Sequence, residues 1–284
     1  MTLVLTAGNS RFVVQVSDRR LAYPTTGETY DDEANKAVVL VCQTAKLAIA
    51  YTGLGRIGPL RTDEWLVEVL SDAKAGQMNM PEVTELLAEL ATKAFSGIAL
   101  PTARKRHAFV LAGWYCKGPD ALSPIMWCIS NYHGKDWEVL PGVMPVFEAR
   151  FARPKEGTDP RRLSAFFVYG ARDAFVAACG RRVRKLTKLI PRRDPQEIVA
   201  KLVSLIRATA QHPLGRTWVG RSCMSIVIRG DLDTLAQYHP VAGPTGETFG
   251  PHLVGPMFSI MHPAVWLGEG EVPSWWDNPP PLHR

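Results

Sequence analysis

The chain has 284 residues, 46% of them hydrophobic, which is enough for one substantial core, and no apolar run reaches the roughly 18 residues that a membrane-spanning helix needs. Its first residues, MTLVLTAGNSRF, lack the basic start and apolar segment of a signal peptide, and its five cysteines form no CxxC pair, so we expect a reduced, cytoplasmic setting. The formal net charge of +6 is modest for this length and does not by itself argue for a nucleic-acid partner.

The first part of the chain is predicted to form strands. Short β-rich runs at 3–6 and 12–16 are separated by Gly8-Asn9-Ser10, which is a hairpin signal. Two further runs, at 37–41 and 47–51, form a second pair around Gln43-Thr44-Ala45.

The pattern then changes to a helical period. Thr62 is predicted to cap a helix that carries Asp63 and Glu64 in its first turn. A second helix is predicted to begin at Pro81 and to end at Gly97, because its apolar residues follow the i, i+3, i+4 spacing.

The second half of the chain is predicted to repeat this order. Strands are expected at 107–114, 125–130 and 163–169, followed by helices at 171–190 and 194–211, and then by a strand at 225–228. The helix at 194 has a clear start, with Asp194 as the cap, Pro195 in the first turn and Glu197 positioned to reach back.

Pairs of helices separated by blocks of strands suit two stacked antiparallel sheets with helices on both outer faces, although this order alone does not exclude other α+β layouts. We therefore expect an α+β domain over residues 1–230. Residues 231–284 are rich in Pro, Gly and Trp and end in SWWDNPPPLHR. Trp275, Trp276 and the three prolines after Asn278 are too apolar and rigid for a free tail, so we expect this extension to pack on the domain or on a neighbouring subunit.

The candidate chemistry begins at Thr2. Removal of Met1 would expose Thr2, whose hydroxyl is a poor nucleophile until a base takes its proton, and a free terminal amine can act as that base. The alternative is that Thr2 is an ordinary second residue, because a motif without context is a weak indication.

Three more positions give Thr2 a context. Asp18 lies in Ser17-Asp18-Arg19-Arg20, where the hairpin folds it back beside Thr2. Lys36 stands at the start of the next strand, and Gly53 lies in Thr52-Gly53-Leu54-Gly55, between a strand and a helix. This succession of threonine, Asp-x-Arg, strand-opening lysine and glycine turn resembles the proteasome β subunits and their bacterial relatives.

The resemblance covers about the first 70 residues by motif, and the order of helices and strands more loosely up to residue 230. It implies the four-layer αββα sandwich of an N-terminal-nucleophile hydrolase of the threonine type. In that family pattern Lys36 would ease formation of the Thr2 alkoxide, Asp18 would hold the lysine, and the Gly53 N–H would stabilise the oxyanion. Arg20 takes the place of the family's arginine, with a structural role. Taken singly, Asp18 reads as a turn carboxylate, Lys36 as a solvated strand end and Gly53 as a turn glycine.

The resulting hypothesis is a cytoplasmic, homo-oligomeric hydrolase that cleaves peptides or small amides without a cofactor or metal. The rival hypothesis is a catalytically inactive scaffold or assembly subunit of the same fold. The seven histidines show no HxxxH or HExxH spacing, which argues against a zinc site. The substrate, the size of any ring and an ATPase partner are left open by the sequence.

A dense basic run extends from Arg181 to Arg193. No aromatic platform is interleaved with it, so a solvated helix face or a subunit contact is favoured over a nucleic-acid site. As a subunit contact it could face the acidic residues Asp31-Asp32-Glu33 of another copy, with a strength that falls as salt rises.

Overall fold

The computed structural model describes residues 2–116, 122–152, 164–241, 248–256, 259–260 and 264–265. The helices within these ranges are α1 (Thr62–Asp72), α2 (Met80–Ser96), α3 (Arg172–Leu189) and α4 (Pro195–Gln211). The strands of the first half are β1 (Leu3–Asn9), β2 (Phe12–Asp18), β3 (Leu21–Ala22), β4 (Thr29–Asp31), β5 (Ala37–Cys42), β6 (Ala45–Thr52), β7 (Arg56–Ile57), β8 (Leu60–Arg61), β9 (Ala108–Cys116) and β10 (Leu122–Ser130). Those of the second half are β11 (Glu148–Ala152), β12 (Ser164–Gly170), β13 (Cys223–Arg229), β14 (Thr234–His239), β15 (Thr248–Phe249), β16 (His252–Val254), β17 (Ser259–Ile260) and β18 (Ala264–Val265).

Most strands belong to two large sheets. A five-stranded sheet has the order β12-β1-β2-β13-β14, and a seven-stranded sheet has the order β11-β10-β9-β6-β5-β16-β17. Neighbours within both sheets run antiparallel, except that β16 lies parallel to β5. The fold is therefore mixed α+β, as the order of elements predicts.

Each helix pair packs on a different sheet. Helices α1 and α2 bury Leu66, Leu70 and Leu87 in one apolar cluster with residues of the seven-stranded sheet. Helices α3 and α4 form a second cluster with residues of the five-stranded sheet. A third cluster joins residues from both sheets, among them Val4 and Val39.

The strands between these clusters are buried on both faces, which explains their continuous apolar sequences. Along β5, Val38 and Leu40 lie in the cluster with α1 and α2, whereas Ala37 and Val39 lie in the cluster that joins the sheets. This alternation follows from the two-residue period of a strand.

The helix starts differ in detail from the predictions. Thr62 is the first residue of α1 and not its cap, because its hydroxyl donates to the Leu54 carbonyl at 2.8 Å and Arg61 takes the N-cap position. Asp194 does cap α4, accepting from the Gln196 N–H at 2.8 Å. Glu197, which was predicted to reach back toward the cap, forms an ion pair with Arg193 at 3.3 Å.

The chain beyond residue 230 contributes strands to both large sheets. Strand β14 extends the five-stranded sheet beside β13, and β16 extends the seven-stranded sheet beside β5. The tail with Trp275 and Trp276 lies outside the described residues, as does the predicted turn at 117–120. The domain division at residue 230 stays a prediction. No helix in the described ranges has the length and apolar character needed to cross a membrane.

Candidate functional site

The structure brings Thr2, Asp18 and Lys36 into contact. Strands β1 and β2 are antiparallel with Val4 opposite Ser17, which places the start of β1 beside the end of β2. Lys36 precedes β5 and directs its ammonium toward both residues. Its Nζ lies 2.7 Å from Thr2 Oγ1 and 3.3 Å from Asp18 Oδ1.

Asp18 is held by a set of backbone donors. Its carboxylate accepts hydrogen bonds from the N–H groups of Leu3 at 2.6 Å, Arg20 at 3.0 Å and Gly220 at 3.0 Å. Asp18 and Lys36 are both fully buried, and the Lys36 ammonium also donates to the Arg20 carbonyl. A buried carboxylate with this many donors is fixed in one orientation, so it also fixes the position of the lysine.

Burial changes the acid–base behaviour of Lys36. Removal of the ammonium from water lowers the pKa of Lys36 below its ordinary value, and the charge of Asp18 offsets part of that effect. A lysine with a lowered pKa is more readily neutral, and a neutral amine can accept a proton from a neighbouring hydroxyl.

The carbonyl of Thr2 is fixed by a second set of contacts. It accepts from Thr52 Oγ1 at 3.1 Å and from the Ala171 N–H at 3.2 Å. Gly170 has a φ of 91°, and a Cβ at this position would lie 1.7 Å from the Thr2 oxygen. Only glycine fits here, because the backbone of Gly170 approaches Thr2 so closely.

Gly53 follows Thr52, the last residue of β6. Its φ is 119°, and a Cβ would lie 2.2 Å from the Arg106 carbonyl oxygen, so glycine is required by both conformation and space. The next amide, that of Leu54, donates to His107 Nδ1 at 3.1 Å. The turn that carries Gly53 is therefore anchored to His107.

A cleft with a volume of about 710 Å³ is lined by residues that contact the Thr2 carbonyl and by a set of aromatic rings. Thr52, Gly170 and Ala171, which all approach the Thr2 carbonyl oxygen, line it together with Gly53. The aromatic rings are those of Tyr132, Trp137, Phe166, Phe167, Tyr169 and Trp218. Such a concave, mostly apolar surface with a few polar groups is typical of a ligand site.

Arg20, predicted to be structural, holds two segments together. Its guanidinium pairs with Asp32 at 2.6 Å and donates to the Arg216 carbonyl at 2.6 Å. Among the described residues, no group of three or more His, Cys, Asp or Glu side chains is arranged to hold a metal ion.

The sequence motifs give no role at this site to Thr52, Ala171, Gly170, Gly220 or His107. Gly220 is 202 positions from Asp18, whose carboxylate it contacts. No local signal marks such a contact, because it depends on how β2 and the segment before β13 come together. Gly170 gives a weaker signal, since a glycine directly before a predicted helix suggests a special backbone conformation, and its φ is 91°.

His107 makes the stability of this region sensitive to acid. Burial lowers the pKa of His107 from 6.5 to about 3, and its ring is enclosed by Tyr51, Phe95 and Phe109. Below pH 6.5 the unfolded chain binds a proton at this histidine while the folded chain does not, so stability is lost as the pH falls toward 3. The largest slope expected from one such group is about 1.4 kcal/mol per pH unit.

We expect the His107→Phe variant to show a weaker loss of stability between pH 6.5 and 3 than the unchanged protein. Urea unfolding at a series of pH values measures the difference. His212→Gln, at the end of α4, controls for the replacement of a histidine as such. Equal slopes for His107→Phe and the unchanged protein would contradict this assignment.

The fold is shared with known structures. The Gly-1 mutant of Anbu from Hyphomicrobium sp. strain MC1 has a TM-score of 0.55 and 14% identity, with 85% of this chain and 89% of that chain covered. Anbu from Yersinia bercovieri, described as an ancestral β subunit, has a TM-score of 0.55 and 13% identity, covering 84% of this chain and 86% of that chain. A second Anbu structure from Hyphomicrobium sp. strain MC1 has a TM-score of 0.54 and 14% identity, covering 84% of this chain and 88% of that chain. No protein-family profile matches the sequence, and no curated protein sequence matches it either.

These findings correct the family assignment made from the motifs. The predicted resemblance to a threonine-type proteasome β subunit is wrong, because the structural neighbours are Anbu proteins and no sequence comparison indicates a nucleophilic threonine. The motif consists of four separated residues, each of which also has an ordinary structural explanation, so it cannot distinguish one branch of a fold from another. The likeness at 14% identity shows a proteasome-like fold, and it shows nothing about activity.

Proposed function

We propose that this chain hydrolyses amide or peptide bonds with the Thr2 hydroxyl as nucleophile, after loss of Met1 has freed the Thr2 amine. The observation that carries the proposal is the distance of 2.7 Å between Lys36 Nζ and Thr2 Oγ1, with Asp18 fixing the lysine. A cation that contacts the hydroxyl favours its alkoxide form, a third group orients that cation, and the free amine of the same threonine can take the proton.

The reaction would take place in two steps. The Thr2 oxygen attacks the substrate carbonyl, its proton passes to the free Thr2 amine, and the leaving amine departs with a proton, which leaves an ester on Thr2. Water then attacks this ester, and the same amine first accepts and then returns a proton, so that the acid product and the free hydroxyl are formed.

Lys36 and Gly53 would stabilise the charge that develops in both steps. The Lys36 ammonium favours the alkoxide form of Thr2, and Asp18 keeps it in contact. The N–H of Gly53, a residue that lines the cleft, is proposed to stabilise the oxyanion of the tetrahedral intermediate. The cleft beside Gly53 would hold the substrate, which is either a peptide or a smaller amide.

A second candidate function is a proteasome-like scaffold or assembly subunit without catalysis. It is favoured by the burial of the three residues, since Thr2 is 2% exposed while Asp18 and Lys36 are 0% exposed. A buried Lys–Asp pair of this kind can also serve only to fix one backbone arrangement.

Mass spectrometry of the intact native protein tests the first requirement of the hydrolase. We expect the mass to correspond to a chain that begins at Thr2. We further expect Thr2→Ala to abolish hydrolysis of fluorogenic peptide amides while leaving the melting temperature nearly unchanged, because only a hydroxyl and a methyl group are lost.

Thr2→Ser provides the control, since it retains the hydroxyl and should retain part of the activity. Complete retention of Met1, or equal turnover by Thr2→Ala and the unchanged protein, would remove the hydrolase and favour the scaffold.

We also propose a four-layer αββα architecture, a reduced cytoplasmic setting and a homo-oligomeric state for this chain. The three apolar clusters support a four-layer αββα arrangement. One cluster joins α1 and α2 to the seven-stranded sheet, one joins the two sheets, and one joins the five-stranded sheet to α3 and α4. All five cysteines are free thiols, which supports a reduced cytoplasmic setting. A homo-oligomer is supported by the description of one structural neighbour as a subunit.

A further inference from the structure

The two helix pairs carry opposite charge on their exposed sides. On α1 and α2 a single exposed lysine, Lys93, accompanies five exposed carboxylates: Glu68, Asp72, Glu82, Glu85 and Glu89. On α3 and α4 the exposed carboxylates are Asp173 and Glu197 alone. The exposed cations of α3 and α4 are Arg172, Arg181, Arg182, Arg184, Lys185, Lys188 and Lys201. These helix pairs pack on different sheets, so the acidic and the basic surfaces belong to different parts of the molecule.

A groove between α3 and α4 has the form of a helix-binding site. Its volume is about 550 Å³, and Leu186, Leu189 and Leu205 line it together with Arg182, Lys185 and Lys201. Glu197 also lines the groove, but its carboxylate is paired with Arg193 at 3.3 Å. An apolar base with a cationic rim fits an amphipathic helix that carries carboxylates beside a leucine.

Helix α2 presents such a surface, which we call the α2 stripe: Glu82, Glu85, Leu86 and Glu89. These residues follow the i, i+3, i+4, i+7 spacing and therefore share one side of the helix. Leu86 is half-buried and lies outside the apolar clusters of the chain. The three glutamates are exposed, although Glu82 also accepts from the Asn79 N–H at the start of the helix.

We propose that the α2 stripe of one copy of this chain binds in the α3–α4 groove of the next copy. Leu86 would contact the groove leucines, and Glu85 and Glu89 would face Arg182, Lys185 and Lys201. Because two different surfaces of the same chain meet, the contact is heterologous and repeats from copy to copy, producing a ring or a helical stack. It specifies the surfaces of the proposed homo-oligomer and does not depend on hydrolysis.

The acidic segment Asp31-Asp32-Glu33 is a poorer partner for the basic surface of α3 and α4 than the α2 stripe is. Asp32 pairs with Arg20 at 2.6 Å, Asp31 with Arg61 at 3.4 Å, and Glu33 with Arg19 at 3.4 Å, all within one chain. Those contacts would have to be given up on docking, whereas Glu85 and Glu89 have no ion pair among the described residues.

Charge reversal tests this contact by sedimentation velocity at a series of protein concentrations. Glu85→Lys and Lys185→Glu should each raise the dissociation constant at least about tenfold, because each places like charges in contact. The double variant carries both changes in every copy, restores opposite charges at each contact, and should recover most of the lost affinity. For the unchanged protein, association should weaken from about 50 mM to about 500 mM NaCl.

Matched controls reverse charges elsewhere on the surface. Glu28→Lys and Lys135→Glu change exposed side chains away from both surfaces and should associate like the unchanged protein. Far-UV circular dichroism checks that every variant is folded, and Lys201→Glu replaces Lys185→Glu if the latter is not. An unchanged protein that is monomeric in low salt, single variants that associate normally, or a double variant no better than the singles would each overturn the proposal.

Discussion

Replacement of Lys36 by methionine is expected to lower the rate of amide hydrolysis by about 10²–10³-fold, the range typical of a lost group that stabilises developing charge, while the chain still folds. Lys36 is the side chain in direct contact with both Thr2 Oγ1 and Asp18. Methionine has a similar length and no charge, so it can occupy the fully buried space that Lys36 leaves. The measurement is kcat with a fluorogenic peptide amide, together with a thermal melt.

The chain contains a matched control for this variant. Lys46 is also buried, at 6% exposed, and its Nζ donates to the Leu232 carbonyl at 2.7 Å. Lys46→Met removes a buried ammonium in the same way but leaves the contacts of Thr2 untouched. A kcat unchanged in Lys36→Met, or lowered equally in both variants, would show that Lys36 has no specific part in the chemistry.

Most of the secondary structure could be predicted because its signals are local. The continuous apolar run of β5 and the apolar spacing of α2 place both elements within a few residues of their observed ends. The hairpin of β1 and β2 follows from the turn at Gly8-Asn9-Ser10, and it is this hairpin that brings Asp18 beside the start of β1. Contact of Thr2 with Asp18 is therefore a consequence of short-range pairing.

Strand β16 could not be predicted from local sequence signals. It has three residues, lies in a segment rich in proline and glycine, and joins β5 in parallel. A parallel neighbour so distant along the chain leaves no periodicity to recognise, and so short a strand is stabilised by the sheet that it joins rather than by its own propensity. The sequence consequently indicated an extension where the structure has a sheet strand.

The anchoring of the Thr2 carbonyl was unpredictable for the same reason. Ala171, whose N–H reaches Thr2, begins the segment that leads into α3, and it meets Thr2 because β12 pairs with β1. A pairing between strands that are separated by more than half of the chain depends on the final packing of both helix pairs. Motif spacing near the N-terminus contains no information about it.

Asp18 supports the final prediction, which separates two origins of stability. Asp18→Ala should lower the free energy of unfolding by about 3–5 kcal/mol, since the buried Lys36 ammonium loses its counter-charge. The same change also leaves three backbone N–H groups, those of Leu3, Arg20 and Gly220, without their carboxylate acceptor. An orphaned buried donor costs about 1–3 kcal/mol, so the donors alone could account for a loss of the same size.

The double variant Asp18→Ala with Lys36→Met distinguishes these origins by urea unfolding. It removes the unpaired charge but leaves the three donors without an acceptor. We therefore expect its free energy of unfolding to remain well below that of the unchanged protein and to recover only the part of the loss that is due to the lysine. Asp72→Ala, an exposed carboxylate at the end of α1, is the control and should change stability by no more than about 0.5 kcal/mol. Full recovery in the double variant would mean that Asp18 is needed only to balance Lys36. Recovery of a small part would mean that the carboxylate chiefly joins the starts of β1 and β13 to the end of β2, and that the lysine is held by a structure already in place.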